Sequence, residues 1–467
     1  MQAQTKKLKK AKNIYFIGIK GVGMTALAQI LKAQGKIVSG SDTQEKFFTD
    51  KVLKRAKIYF VEGFAAANIP ASAELVIRSG AYTAENNAEV AEAIKRKLPL
   101  LTQAEALAEI FNQKYGIAVC GSHGKTTTSA LLAFVLQQAG VEPTAAIGSA
   151  VPQFGGNALT GKGKLMVIEA DEYQNKLKLY RPKIILLNNI DYDHPDFFKT
   201  PAAYRKAFAD FVKKIPQNGF VVANADDKNV AQVIKQCTCN IITYGAFAQS
   251  KINIKYLLAG GQGSILNIKN NYQYFKVWQG NKSLGEFKIK LIGEHNVKNA
   301  TAVIAVCLEL KISLTKIKKA LEKFTGTARR MEILGKYHGA LFIDDYAHHP
   351  TEIQATLFAL RKQYPHQKII CAFMPHTFSR TQVLFNDFTK SFTNADEVIL
   401  LPIYASARET KGTVTSKDLA KKIKNAHFIA SMEQCAKTLQ QSTIKNNVVI
   451  LMGAGDTFRV WDILHNS

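Results

Sequence analysis

Three stretches of the chain each restart one alternation, a short apolar run followed by a segment of helical spacing, and this repetition limits the fold more than any single motif. In the first, residues 13 to 110, "NIYFIGI" reads as a strand, "GMTALAQILKAQG" as a helix and "KIVSGSD" as a strand, followed by strand "ELVIRSGAY" and helix "AEVAEAIKRKL". The second opens on "YGIAVCGSHGKTT" and runs through the strands "KLMVIEADE", "KIILLNNIDYDH" and "GFVVANADD". The third carries the strands "ALFIDDY", "KIICAFM", "EVILLPIY" and "NVVILMGAG". Parallel strands need crossover connections, usually helices, so such alternation predicts α/β units with parallel sheets covered on both faces. Between about 250 and 290 the period shortens: "KINIKYLL", "GSILNIK" and "FKIKLIG" predict an antiparallel patch before "EHNVKNATAVIAVCLEL" returns to helix. A chain of 467 residues exceeds what one core serves, so two or three domains are expected.

Ligands of parallel sheets bind beyond the carboxyl ends of strands, and every motif falls at such an end. Gly121-Ser122-His123-Gly124-Lys125-Thr126-Thr127 follows a strand and opens a helix. Its backbone N–H groups form an anion cradle, Lys125 can reach terminal phosphates and Thr126 can ligate magnesium. The common phosphate loop has a glycine where this chain has Val119, so the loop is shorter. Glu169 and Asp171, in "VIEADEY", end the next apolar strand, where a carboxylate can bind magnesium. Asp191, Asp193 and His194, in "NNIDYDHPDFF", end another; an isolated histidine there would be structural, but a nearby nucleotide loop favours a second cation ligand.

Gly18, Gly21 and Gly23 form G-x-x-G-x-G after the first strand. They let a pyrophosphate approach a helix N-terminus, and a side chain at Gly21 would block that approach and force an unfavourable φ. Asp42, closing the next strand, can meet a ribose hydroxyl. Alone, this loop suits a nicotinamide-dependent dehydrogenase equally well. Asn296 and Asn299 lie one turn apart on a helix and can read an adenine edge or cap the helix. Arg329 and Arg330 stand at a domain boundary, with arginine's fork suited to phosphate. Asp344, Asp345, Tyr346, His348 and His349, with His376, Ser379 and Arg380, follow two C-terminal strands and could hold a metal or an amino acid.

The net charge of +26 raises a nucleic-acid-binding ATPase as an alternative, but the lysines are scattered, apart from Lys6, Lys7, Lys9, Lys10 and Lys12, and no nucleic-acid-recognition pattern is present. No apolar run approaches the roughly 18 residues that span a bilayer. The first apolar run, Ile14 to Ile19, is too short for a signal peptide and reads as a strand. The six cysteines lack zinc spacing, so reduced thiols and a cytoplasmic location are expected.

Taken in order, "GIKGVGM", "SGSD", "GSHGKTT", "EADE", "NNIDYDH", "GEHNVKNA", "GTARRMEIL", "DDYAHHPTEI", "PHTFSRT" and "MGAGD" resemble the motifs of the Mur ligases of peptidoglycan synthesis across residues 13 to 462. The resemblance implies an N-terminal Rossmann-like UDP-binding domain (1–110), a central P-loop ATPase domain with an antiparallel β patch (111–325) and a C-terminal Rossmann-like α/β amino-acid-binding domain (326–467). It implies ATP-driven joining of L-alanine to UDP-N-acetylmuramic acid with Mg2+, by a monomer or homodimer without nucleic acid or membrane insertion. By the same resemblance Gly18, Gly21 and Gly23 face the UDP diphosphate, Lys125 and Thr126 serve ATP and magnesium, and Glu169 and His194 ligate the metal. Asn296 and Asn299 lie near adenine, Arg330 near the γ-phosphate, and Tyr346, His348 and Arg380 on the amino-acid side. His348 or a nearby carboxylate would take the amine proton. "EADEYQNKLKLYRP" also resembles the relative that attaches a recycled tripeptide, whereas "PHTFSRT" and "DDYAHHPTEI" favour alanine. Phe64 stands where the family commonly has histidine.

Overall fold

The computed structural model describes residues 7–246, 249–255, 267–405, 409, 411–442 and 445–466. Lys6 of the basic cluster, the end of "KINIKYLL" and the start of "GSILNIK" lie outside these. Among the described residues three sheets follow one another along the chain. The first holds β1 (Asn13–Ile17), β2 (Ile37–Asp42), β3 (Tyr59–Glu62), β4 (Leu75–Arg78) and β5 (Leu100–Thr102), all parallel in the order β3-β2-β1-β4-β5. The strand order reverses beside β1, so the loop after β1 opens at the crevice where such sheets take ligands. The helix Val22–Ala33 buries Met24, Leu27, Ala28 and Leu31, the i, i+3, i+4, i+7 stripe that holds a helix on a sheet.

The second sheet is built around β6 (Tyr115–Cys120). Its parallel part runs β12 (Asn240–Gly245), β11 (Phe220–Asn224), β10 (Ile184–Leu187), β6, β9 (Leu165–Glu169), β7 (Thr144–Val151), with β8 (Gly156–Thr160) antiparallel at one edge. Beyond β12 lie β13 (Ile252–Lys255) and an antiparallel group of β14 (Asn267–Lys269), β15 (Tyr272–Gln279) and β16 (Lys282–Ile289). The expected antiparallel patch is therefore present, but its centre is β15, which the sequence reading passed over; its inward residues Phe275 and Val277 are fully buried. The helix Lys125–Gln138 buries every residue from Thr126 to Leu136, which explains why it is apolar all round from Ala130 to Leu136.

The third sheet runs β17 (Glu332–Tyr337), β18 (Ala340–Asp345), β22 (Val448–Met452), β19 (Ile369–Phe373), β20 (Glu397–Leu400), β21 (Ala426–Phe428), parallel except for β17. Strands β3, β17 and β21, which the sequence left unread, all lie at sheet edges and hold no fully buried run of residues.

Side chains tie the three sheets together. Asn157 on β8 donates through Nδ2 to Val22 O at 2.7 Å and accepts from Gln29 Nε2 at 3.0 Å. Ser149 Oγ donates to Ala328 O at 2.8 Å. The expectation of six reduced thiols is corrected at one place: Cys237 and Cys239 form a disulfide, their Cα atoms 5.5 Å apart and so within bridging distance. The other four cysteines are buried thiols. No helix among the described residues is long and apolar enough to cross a membrane.

Candidate active site

The segment between β6 and the helix Lys125–Gln138 is tight because two glycines carry it. Gly121 has φ +129° and Gly124 φ +77°, and a Cβ on Gly124 would meet Asn299 Oδ1 at 2.8 Å. Lys125 Nζ donates to Gly121 O at 2.6 Å and Ser122 O at 3.1 Å, and lies 3.3 Å from Glu172 Oε2. Thr126 Oγ1 donates to Glu169 Oε2 at 3.1 Å, and Gly148 N donates to Glu169 Oε1 at 2.5 Å. Burial raises the Glu169 carboxyl above its ordinary range, against those hydrogen bonds and the charge of Lys125.

The loop after β10 supplies an opposing wall. Asn189 Oδ1 accepts from the His123 backbone N–H at 2.8 Å. Asp191 Oδ2 lies 3.0 Å from His123 Nε2 and accepts from Thr351 Oγ1 at 2.6 Å. Burial works against the Asp191 carboxylate, but His123 and His349 pull it down to about 2. His194, at φ +58°, has Nε2 3.8 Å from both Glu172 Oε1 and Asp193 Oδ2. Thr126 and Glu169 thus meet directly, whereas His194 groups with Asp171 and Glu172, the three offering ligand atoms within 4.8 Å of one another. A second such group is His123, Asp191 and His349. Glu172, which the sequence reading quoted in "EADE" but did not select, is 1% exposed and accepts from Tyr204 OH at 2.8 Å.

The C-terminal unit closes the site. A cleft of 540 Å³ runs between His123, Gly124 and Thr127 on one side and Arg330, Asp345 and Glu352 on the other. Asn296 and Asn299 line it as well; Asn296 Nδ2 donates to Ile292 O and Asn299 Nδ2 to Asn296 Oδ1, so they brace each other across one turn. Arg330 stacks over the Tyr346 ring at 5.1 Å, while Arg329 pairs with Asp344 at 3.1 Å and donates to the carbonyls of Gly453 and Gly455.

Tyr346 and His348, after β18, and His376 and Arg380, after β19, come together although β22 lies between those two strands, not side by side as the sequence suggested. The Tyr346 and His348 rings are 5.4 Å apart, those of His348 and His376 6.1 Å, and Arg380 NH1 lies 3.0 Å from His376 Nδ1. Arg380 is not a free fork: Nε donates to Asp193 Oδ1 at 2.8 Å and NH2 to Asp193 Oδ2 at 3.2 Å, and both residues are buried. His348 Nδ1 donates to Tyr346 O at 3.0 Å, which leaves Nε2 as its acceptor. Burial, with Arg380 and His376, brings His348 down to about 3 against the pull of Glu352.

The glycine loop of the first sheet departs from expectation in two details. The positive φ belongs to Gly18, at +83°; Gly21 has φ −55°, which any residue adopts, so a side chain there meets no backbone strain. A Cβ on Gly18 would also come within 2.7 Å of the Tyr82 ring, which packs on Phe64 at 4.8 Å. Gly23 abuts the Gln103 side chain. Asp42, expected to meet a ribose, is buried and accepts from the backbone N–H groups of Lys20 at 2.5 Å and Thr43 at 2.8 Å. Its carboxylate shapes the loop. Lys20 stands behind it, buried against Asp50 at 3.1 Å and Glu62 at 3.2 Å.

This arrangement is shared with known proteins over the whole chain. Residues 13–115 match the Mur ligase family catalytic domain, 119–307 the Mur ligase middle domain and 329–455 the Mur ligase glutamate ligase domain. The UDP-N-acetylmuramate–L-alanine ligase of Desulfitobacterium hafniense is 40% identical over 454 residues, 96% of this chain and 98% of that one. Its counterpart from Aquifex aeolicus is 38% identical over 448 residues, 96% and 95% of the two chains. The crystal structure of UDP-N-acetylmuramate–alanine ligase from Thermotoga maritima superposes with a TM-score of 0.80 at 27% identity, covering 97% of this chain and 98% of that one. A murein peptide ligase from Psychrobacter arcticus has the same fold, with a TM-score of 0.75 at 24% identity over 98% and 99% of the chains. With three sheets in one order, a phosphate loop on the second and full-length identity of up to 40% among these relatives, the chain belongs to the Mur ligase family.

Proposed function

We propose that this protein is an ATP-dependent ligase that joins L-alanine to the lactyl carboxylate of UDP-N-acetylmuramic acid, a cytoplasmic step of peptidoglycan synthesis. The observation that carries this reading is one cleft lined by both the phosphate loop and Arg330, next to the group of partly exposed Tyr346 and His348 with buried Arg380. Relatives over the full length that bear the alanine-ligase name support alanine over a tripeptide. The working units are residues 1–110 for the sugar nucleotide, 111–325 for ATP and 326–467 for the amino acid.

A carboxylate is a poor electrophile because its leaving group would be oxide. Attack of a carboxylate oxygen on the γ-phosphorus of ATP forms an acyl phosphate and releases ADP. Two anions meet in that step, so positioning and charge neutralisation dominate it, and Lys125 and Arg330 supply the cations. Gly121, Ser122, His123, Gly124, Thr126 and Thr127 cradle the phosphates, with Asn296 and Asn299 beside the adenine. Gly18, Gly21 and Gly23 take the diphosphate of the sugar nucleotide, on a turn held by Asp42.

The hydroxyl of Thr126 against the Glu169 carboxylate is a hard oxygen donor set that fits Mg2+, while His194, expected as a further ligand, stands with Asp171 and Glu172 instead. Bound there, the cation would offset negative charge on phosphate oxygens. In the second step the alanine amine attacks the acyl carbon and inorganic phosphate leaves. The amine must lose a proton, and neutral His348 offers Nε2 to it. Tyr346 and Arg380 complete the amino-acid side, with Arg380 shared between substrate carboxylate and Asp193.

Phosphate release with UDP-N-acetylmuramic acid, measured in parallel with L-alanine, glycine, L-serine and the recycled tripeptide, tests the reading. L-alanine is expected to give the highest kcat/KM. Efficient use of the tripeptide with little use of alanine would move the protein to the recycling branch.

A further inference from the structure

Glu352 stands in the motif "DDYAHHPTEI" but is not among the site residues expected from it, yet it contacts three parts of the site. Its Oε1 lies 3.2 Å from His123 Nδ1 on the phosphate loop and 3.8 Å from Arg330 NH1. Its Oε2 lies 3.4 Å from His348 Nδ1 and accepts the His348 backbone N–H at 3.1 Å. On either side, Thr351 Oγ1 donates to Asp191 Oδ2 at 2.6 Å and His349 Nε2 sits 3.3 Å from Tyr192 O. The first turn of the helix Pro350–Gln363 is thus fastened to two loops of the central sheet.

A buried carboxylate is costly unless cations surround it. Burial opposes the charge on Glu352, and the His348 N–H groups beside it, with the charges of His123 and Arg330, hold it well below the usual carboxylate range. His123 is caught between two anions: burial opposes its charge, but Glu352 and Asp191 raise it to about 9, so it is a cation in the cleft. The groups facing His123 are Asp191 and His349 in addition to Glu352, with Lys125 on its own loop and Arg330 and His295 across the cleft.

We propose that Glu352 is a positioning residue for phosphoryl transfer, docking the C-terminal unit onto the phosphate loop through His123 and aiming Arg330 into the same cleft. The inference rests on the ATP-loop reading. It makes closure of the C-terminal unit the event that completes the cationic lining, so the phosphoryl group is activated only when water is excluded.

Phosphate release by the full-length protein is measured against ATP concentration and pH for the parent, His123→Gln, Glu352→Gln, Glu352→Asp and the double glutamine variant, with melting curves to confirm folding. Each glutamine variant is expected to lose about tenfold in kcat/KM for ATP, and the double variant no more than about twofold beyond the worse single one, because both act through one contact. The alkaline limb of the parent, near 9, should move to lower pH in Glu352→Gln, vanish in His123→Gln and persist in Glu352→Asp. Multiplicative losses, an unmoved alkaline limb, or Glu352→Gln within about twofold of the parent would overturn the proposal. If Lys125→Ala is inactive while Glu352→Gln is normal, only the positioning role falls. A parent that releases no phosphate from ATP removes the ATP reading and this proposal with it.

Discussion

At the scale of the residue, Lys125 shows how a binding group is kept ready. Its ammonium already satisfies three acceptors, Gly121 O, Ser122 O and Glu172, so under the proposed function a phosphate would exchange contacts with an ordered cation. Lys125→Ala is expected to lower phosphate release about a hundredfold or more, and turnover near that of the parent would remove Lys125 from the chemistry. The variant should also melt lower, because buried Glu172 loses its counter-charge. Gly18 and Gly21 make a sharper pair. Gly18→Ala combines a positive φ with a 2.7 Å approach to Tyr82, whereas Gly21→Ala meets nothing closer than 3.4 Å. The first should cost stability and raise KM for the sugar nucleotide; the second should leave the melting temperature within a degree or so. Equal melting temperatures would show that the Gly18 turn tolerates a Cβ. Both glycines stand in the same motif, and only the backbone angles separate their roles.

At the scale of the element, the helix Val22–Ala33 serves two partners. Its apolar stripe packs on the first sheet, and its polar positions meet β8 of the second through Asn157. Asn157 is fully buried and its amide bonds Val22 O and Gln29. Asn157→Ala removes both bonds from a buried contact, at a cost of about 1–3 kcal/mol, read as a lower denaturant midpoint. It should also raise KM for the sugar nucleotide more than KM for ATP, since the loop it steadies is that of the first sheet. An effect on ATP alone would place the sugar nucleotide elsewhere. The pairing of Arg380 with Asp193 is a similar link between the short helix Phe378–Val383 and the loop after β10. Arg380→Lys keeps the charge but loses the two-point geometry, so KM for L-alanine is expected to rise with loss of stability. Unchanged kinetics would make that pair structural only.

At the scale of the whole molecule, the meeting of the central and C-terminal units sets partly buried histidines in opposite electrostatic settings. Burial, with Arg330 and Lys298, brings His295 down to about 4, and His348 lies at about 3. On unfolding both regain ordinary proton affinity, so the unfolded chain binds more protons and stability falls as pH drops from about 6.5 toward 4. His123 has the opposite sign. Its value of about 9 gives a contribution complete below about 6.5 and lost as pH rises through 9. Melting temperature should therefore peak near neutrality. His295→Gln should flatten the acid arm and His123→Gln the alkaline arm, each leaving the other arm in place; variants that shift the whole curve without changing its shape would disprove this assignment.

Local rules determined a large part of this protein from sequence alone. The apolar runs and 3.6-residue stripes set most of the strands and helices, and the glycine-lysine-threonine order set a tight turn into a helix at the end of β6, because both depend on neighbours in the chain. Only the tertiary structure decided who meets whom across units. That Asp193 holds Arg380, that Glu172 rather than Glu169 stands beside His194, that Asp42 takes the Lys20 N–H of the glycine loop and that Glu352 reaches His123 are contacts between residues far apart in sequence. Short edge strands such as β17 and β21 escaped for the same reason. Their stability comes from the neighbouring strand, whose position the local sequence does not encode.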